Sequence, residues 1–569
     1  MSSELPKGPA RQSTSTRELV QRLARGDGAE PALGSQRHSR RDFLRGATGG
    51  AVALGAGGLL AACGSSPSSS SSSTTTTTSQ PAASAKPQRG GTIRLGSTGG
   101  GSSDTLDANN AVNNLDFARA PQMYECLLEF SADAIPQLGL ASEVTPNVDA
   151  SEWTIRVRQG IEFHNGKELT SDDVIYTFQR IVKHNFSGAS ALVTMDVPNL
   201  RRVDRYTVKA PMHAPNSVLP VLLMGEGEMS IVPVGYDPKH PVGTGAFKFE
   251  SFNAGQQSTF VRNPNYWRSG QPYVDSVVIT DYADETTQDN ALVGGEIDCA
   301  DQLSQASIVP LRRGGKVVNI WNGPGWVPFT MRVDAAPFND VRVRQAMRLL
   351  VDRPQMRELA FGGYGLLGND IFGISDPEYD TSIPQRHQDI EQAKFLLKKA
   401  GQENLTTTLV TAPIHAGAVE MAQVIKEQAT AAGVTINITQ ATYDGFFADY
   451  LKWIFSQDWW DGYPYLPQVA YSMVPTAPWD ETHWNKSPYS AQYLKLYAQA
   501  LRTLDKTKQA EIAHEMMLMD FNYGGYIIPL FNPVIAGQSA LLEGTVPQKT
   551  ATPWINYYFR TLWYKKATQ

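Results

Sequence analysis

Residues 64–90 read GSSPSSSSSSTTTTTSQPAASAKPQRG, a run of Ser and Thr with almost nothing apolar in it. Such a segment cannot bury enough surface to offset the entropy of ordering it, so it carries no core. As a flexible chain it has a root-mean-square reach of roughly 30 Å. Residues 1–38 are also polar, with Gly and Pro scattered through them. Whatever folds here must therefore lie in residues 91–569, long enough for more than one domain. Three cysteines in 569 residues exclude a disulfide framework as the main source of stability. Beyond Cys63, Cys126 and Cys299 are either free buried thiols or one bond, and the sequence does not choose between them. The net charge of −6 comes with both signs interspersed. A nucleic-acid partner would need a basic patch, so none is expected.

Ahead of the tract stands Ser39 to Cys63, SRRDFLRGATGGAVALGAGGLLAAC. Arg40 and Arg41 precede Phe43 and Leu44, a Gly- and Ala-rich run follows, and Leu60-Ala61-Ala62-Cys63 closes it. The run is shorter and richer in Gly than the roughly 20 apolar residues of a membrane span. It resembles a twin-arginine export signal fused to a lipoprotein cleavage site. That resemblance implies removal of residues 1–62 and lipid on Cys63, with residues 63–90 as a tether at the outer face of the cytoplasmic membrane. Export by that route carries folded cargo.

In the body, Gly91-Thr92-Ile93-Arg94-Leu95 and Trp153 to Arg158 alternate as strands do. Thr170 or Ser171 can cap a helix whose first turn holds Asp172 and Asp173. Phe247-Lys248-Phe249 and Ser258 to Val261 form a hairpin pattern. Asp340 to Leu350 and Asp389 to Ala400 are helical, the second stopped by Gly401. Strands and helices alternate throughout, which predicts an α/β fold.

Catalytic chemistry is sparse. Nine histidines are dispersed without metal-ligand spacing, and His514-Glu515 lacks the second histidine of a zinc-protease helix. No Gly-x-Ser-x-Gly elbow occurs. Neither an enzymatic activity, a metal nor a cofactor is expected. Aromatic residues are concentrated instead: Trp453, Trp459, Trp460, Trp479 and Trp484 share one stretch with Tyr463, Tyr465 and Tyr471. Asp458 to Pro467, DWWDGYPYLP, shows neither helical nor strand period. Aromatics on such a segment suit either plain packing or the lining of a concave site.

Several motifs occur in an order that resembles the extracellular solute-binding proteins of family 5. These are Leu140 to Val174 (LASEVTPNVDASEWTIRVRQGIEFHNGKELTSDDV), Pro241 to Phe247 (PVGTGAF), Asn263-Pro264-x-Tyr266-Trp267, Gly295-Glu296-Ile297-Asp298, Pro337 to Ala346 (PFNDVRVRQA) and Ile528-Pro529-Leu530-Phe531. The resemblance implies a two-lobed periplasmic-binding-protein fold of type II with an extra subdomain. Lobe I would comprise residues 91–131, 237–332 and 529–569, the extra subdomain 132–236 and lobe II 333–528. It further implies a monomeric receptor that closes on a small solute and delivers it to an ABC permease with its ATPase. Most of the motifs carry structural roles; Gly243 and Gly245 would permit a tight turn and Asp340 would cap a helix. The family's peptide binders place an Asp after a Trp in the aromatic loop. Aligning Trp459 with that Trp puts Gly462 at the anchor, with Asp461 one residue away. Peptides, oligosaccharides or glycosides, and other solutes stay open, as does a sensory rather than a transport role. The residues expected at the ligand are Asn109, Trp326, Phe329, Trp459, Trp460, Asp461, Tyr463, Tyr465, Phe531 and Asn532.

Overall fold

The computed structural model describes residues 86–565. The twin-arginine segment, Cys63 and the tether as far as residue 85 fall outside them. Among the described residues an eight-stranded mixed sheet, a five-stranded sheet and a four-stranded sheet organise the chain. In the first, the strand Thr92–Thr98 runs parallel to both Ser276–Tyr282 and Cys299–Ala300. Its Ile93 and Leu95 are wholly buried, and each such side chain contributes about 1.5–3 kcal/mol through burial. The expected hairpin pairs Phe247–Asn253 with Gln257–Arg262 at one edge. The other edge pairs Val317–Trp326 with Leu530–Gln538.

The chain leaves this sheet through Val327 and Pro328 and enters the five-stranded one as Phe329–Met331. It returns from Tyr526–Ile527 through Ile528 and Pro529. Phe329, Met331, Leu409, Ile425 and Phe455 form the core of the second lobe. Helix signals act as the sequence indicates: Asp340 and Asp389 cap their helices, and Gly401 ends one at φ +71°. Thr170 and Asp173 form a reciprocal capping box.

The four-stranded sheet holds Glu152–Val157 between Ala141–Pro146 and Thr207–Pro211. This subdomain meets the helices of the second lobe, where Gln509 donates to Ser217 Oγ at 2.7 Å and Ser217 N to the Leu501 carbonyl at 2.8 Å. One buried cluster accordingly runs from Ile155 and Phe178 to Trp326, Tyr465 and Met516.

Two details sharpen the sequence reading. Gly243 and Gly245 have negative φ, and what they supply is room: a Cβ on either would stand 2.0–2.6 Å from the Gln122–Met123 backbone. In addition, the aromatic decapeptide becomes helical at Tyr465–Ser472. Pro467 is tolerated there because a first-turn N–H has no helical partner to lose. Cys126 and Cys299 are buried free thiols, and burial raises their pKa well above the usual value. No described helix is long and apolar enough to cross a membrane.

Candidate functional site

Where the chain crosses between the lobes, Trp326 and Trp460 exchange both backbone hydrogen bonds, at 2.9 and 3.0 Å. This bridge requires glycine beside it. Gly462 sits at φ +84°, and a Cβ there would lie 2.1 Å from the Pro324 carbonyl oxygen. The position aligned with a peptide anchor thus accepts no side chain, for a reason of packing. Because the Trp459–Asp461 segment is extended, its side chains alternate. Trp460 turns inward and is buried, whereas Trp459 is half-buried and Asp461 exposed.

Behind the bridge, aromatic rings continue without a gap. Trp326 stacks on Trp460 at 5.9 Å and on Phe372 at 5.8 Å, and Phe372 stacks on Tyr465 at 4.9 Å. Tyr526 meets Trp326 edge-on. A second set joins Tyr463 to Tyr471 at 4.8 Å and Tyr471 to Trp479 at 5.7 Å. Offset and edge-on pairs of this kind add roughly 0.5–1.5 kcal/mol beyond area.

The residues expected at the ligand divide into three groups. Trp326, Phe329, Tyr465 and Phe531 have no exposed surface. Phe329 packs on Phe455 inside the second lobe, Phe531 pairs in register with Trp326, and Tyr465 donates to Asp520. Asn109 is equally buried: it donates to the carbonyls of Glu228 and Ser230 and accepts from Arg180, fixing the Gly225–Ser230 loop. Trp459, Asp461 and Tyr463 retain open surface, Trp459 packing toward the core of the second lobe and Tyr463 against Tyr471, with Trp460 buried between them in sequence. Asn532 is buried beside His415 at 3.4 Å, with its Oδ1 unpartnered.

Asp461 is exposed, beside the crossing between the lobes. Burial, then the nearby Glu228 carboxylate, raise its pKa to about 6. Burial also raises Glu228, which reaches Ser187. Glu228 and Asp461 both act on Tyr463, so the subdomain and the second lobe present two acids to one place. No basic side chain contributes at Asp461 or Glu228. His415, tilted against Trp459 at 6.2 Å, has its pKa lowered by burial and is neutral at pH 7. Among the described residues no His, Cys, Asp or Glu group is placed to hold a metal ion. His483, close in sequence to Trp484, is engaged by Asp334 and the Leu451 carbonyl.

Glu228 and His415 had no local signal in the sequence, since each reaches the site by tertiary folding alone. Asp458 stood inside the aromatic decapeptide without anything to mark its role.

The description "Bacterial extracellular solute-binding proteins, family 5 Middle" matches residues 136–481. The chain is 26% identical over 349 residues to a glutathione-binding protein of Escherichia coli O6:K15:H31, covering 59% of this chain and 67% of that one. It is 28% identical over 373 residues to heme-binding protein A of Haemophilus influenzae, with the same coverage. The oligopeptide-binding protein AppA of Bacillus subtilis, solved with a nonapeptide, superposes with a TM-score of 0.70 at 18% identity. That likeness takes in 84% of this chain and all of AppA. With the motifs, the two-lobed architecture and a match across most of the body in agreement, the chain belongs to the bacterial extracellular solute-binding proteins of family 5.

Proposed function

We propose that this protein is an extracytoplasmic receptor of an ABC importer, tethered through lipid on Cys63, that captures an ammonium-bearing solute of the peptide class. Membership of the family supports the receptor role, with a permease and an ATPase as partners and no chemistry of its own. The observation that carries the ligand class is Asp461, an exposed acid beside the lobe crossing, with Glu228 acting on it and no basic side chain contributing there. An incoming ammonium would supply the missing charge, and Trp459 and Tyr463 offer apolar faces on either side of it. The nonapeptide held by the Bacillus subtilis protein is of this class.

The test is a thermal-shift panel of short peptides and sugars followed by calorimetry on Asp461→Asn. A peptide at a hundredfold excess over its Kd adds about 2.7 kcal/mol to stability. Asp461→Asn is expected to weaken that peptide tenfold to a hundredfold, about 1.4–2.8 kcal/mol, within the range for hydrogen bonds to charged groups. Stabilisation by sugars with no response to peptides would replace this reading with the saccharide one, in which Trp459 stacks on a ring.

A further inference from the structure

Beneath the cleft-facing segment lie two carboxyl groups that the binding role leaves unused. Asp458 and Glu481 are 3% and 4% exposed. Asp458 Oδ1 accepts the backbone N–H of Trp459 at 2.8 Å, and Oδ2 accepts the Tyr450 hydroxyl. Glu481 Oε1 accepts the Trp460 indole N–H at 2.9 Å, while Oε2 finds no donor. The two carboxyl groups are within hydrogen-bonding reach of each other. Two carboxylates cannot bond without a proton between them, and two bare charges in that position would repel strongly. A single proton would also satisfy the orphaned oxygen.

We propose that Asp458 and Glu481 hold one shared proton at neutral pH and act as positioning residues that fix Trp459 and Trp460 against the crossover strand. The remaining titratable neighbours agree. Tyr450 and Tyr526 face the pair with phenols held neutral by burial, and Asp480 acts on Tyr526. Arg332, His483 and Lys486 stand nearby, but all three close on Asp334. Burial raises Asp458 to about 6, and burial together with Asp458 raises Glu481 well above its usual value. Groups raised in the folded state stabilise it fully below the ordinary carboxylate range. That contribution is lost as pH rises through the raised value. The segment should therefore loosen on the alkaline side, not in acid.

The experiment compares the full-length protein with Glu481→Gln, in which the amide keeps an acceptor for Trp460 and a permanent donor for Asp458. Difference infrared spectra at pH 7 are expected to show a protonated-carboxyl band in the wild type that Glu481→Gln loses. Tryptophan emission titrated toward alkaline pH should shift in the wild type and stay flat in the variant. An unchanged carboxyl band, or an alkaline shift that persists in Glu481→Gln, would overturn the proposal. Should Glu481→Gln fail to fold, Asp458→Asn removes the same proton-sharing partner and takes the same two readouts. Neither readout needs a ligand, whereas the functional consequence rests on reading Trp459 as ligand-facing. Peptide affinity that ignores pH while emission shifts would leave the shared proton standing and sink that reading instead.

Discussion

Asp370→Ala is expected to destabilise the folded protein by about 3–5 kcal/mol, the usual result of stripping one partner from a buried ion pair. Arg353 donates to both Asp370 oxygens at 2.7 and 2.8 Å, Arg386 adds a third bond at 2.8 Å, and Arg348 stands at 3.9 Å. None of these side chains is more than 11% exposed. Burial by itself would raise the Asp370 pKa, but the three guanidinium groups outweigh it and hold the value below the usual range. Without the carboxylate the guanidinium charges would face one another with only backbone carbonyls for partners. Arg344 and Arg348 do use such carbonyls, at Tyr523, Gly524 and Phe521 around the end of the helix Lys506–Tyr523. A helix C-terminus favours cations there. The thermal midpoint of the variant at neutral pH checks the magnitude. Because the folded value is depressed, the contribution is complete above the ordinary Asp range and fades as pH falls through the lowered value. The difference between wild type and variant should accordingly shrink in acid.

Trp326→Ala carries the second large effect, also about 3–5 kcal/mol for a buried tryptophan reduced to alanine. Its ring is the middle of the Trp460–Trp326–Phe372 stack and supports Tyr526 at its edge, so removal opens a cavity that the three neighbouring rings cannot readily close. Trp459→Ala is the control. It removes a half-buried ring from the open face of the same segment and should reduce peptide affinity at least as much as it reduces stability. Chemical denaturation and calorimetry on both variants separate the two. Equal losses of stability would mean that Trp459 is packing rather than lining.

Much of the fold was legible because its signals are local. The Thr170–Asp173 capping box, the Gly401 stop and the Phe247–Arg262 hairpin each depend on residues close in sequence. The site was legible only in part. The sequence placed aromatic residues around Trp459 and Trp460, but burial in the assembled chain decides which of them face outward. Trp326 and Phe531 were both expected at the ligand, and both are buried at the crossover. Glu228 lies more than two hundred residues from Asp461 in the chain, and folding alone brings the two acids together. The bend at Gly243 and Gly245 was legible, whereas the close approach of the Gln122–Met123 backbone, which demands their missing side chains, is tertiary and left no local mark.

The two crossings between the lobes have a mechanical consequence. On one side of them Trp326 is paired with Phe531, and on the other Phe329 is paired with Ile527. Val327 and Pro328 intervene on one strand and Ile528, Pro529 and Leu530 on the other, so each link contains a proline. A proline fixes its own φ and removes a donor. The tethers are thus clamped to each other above and below, which makes them one ribbon. A ribbon held at both ends twists far more readily than it shears. Torsion about that ribbon is the motion the two crossings themselves permit, with Val327 and Ile528 as the compliant links.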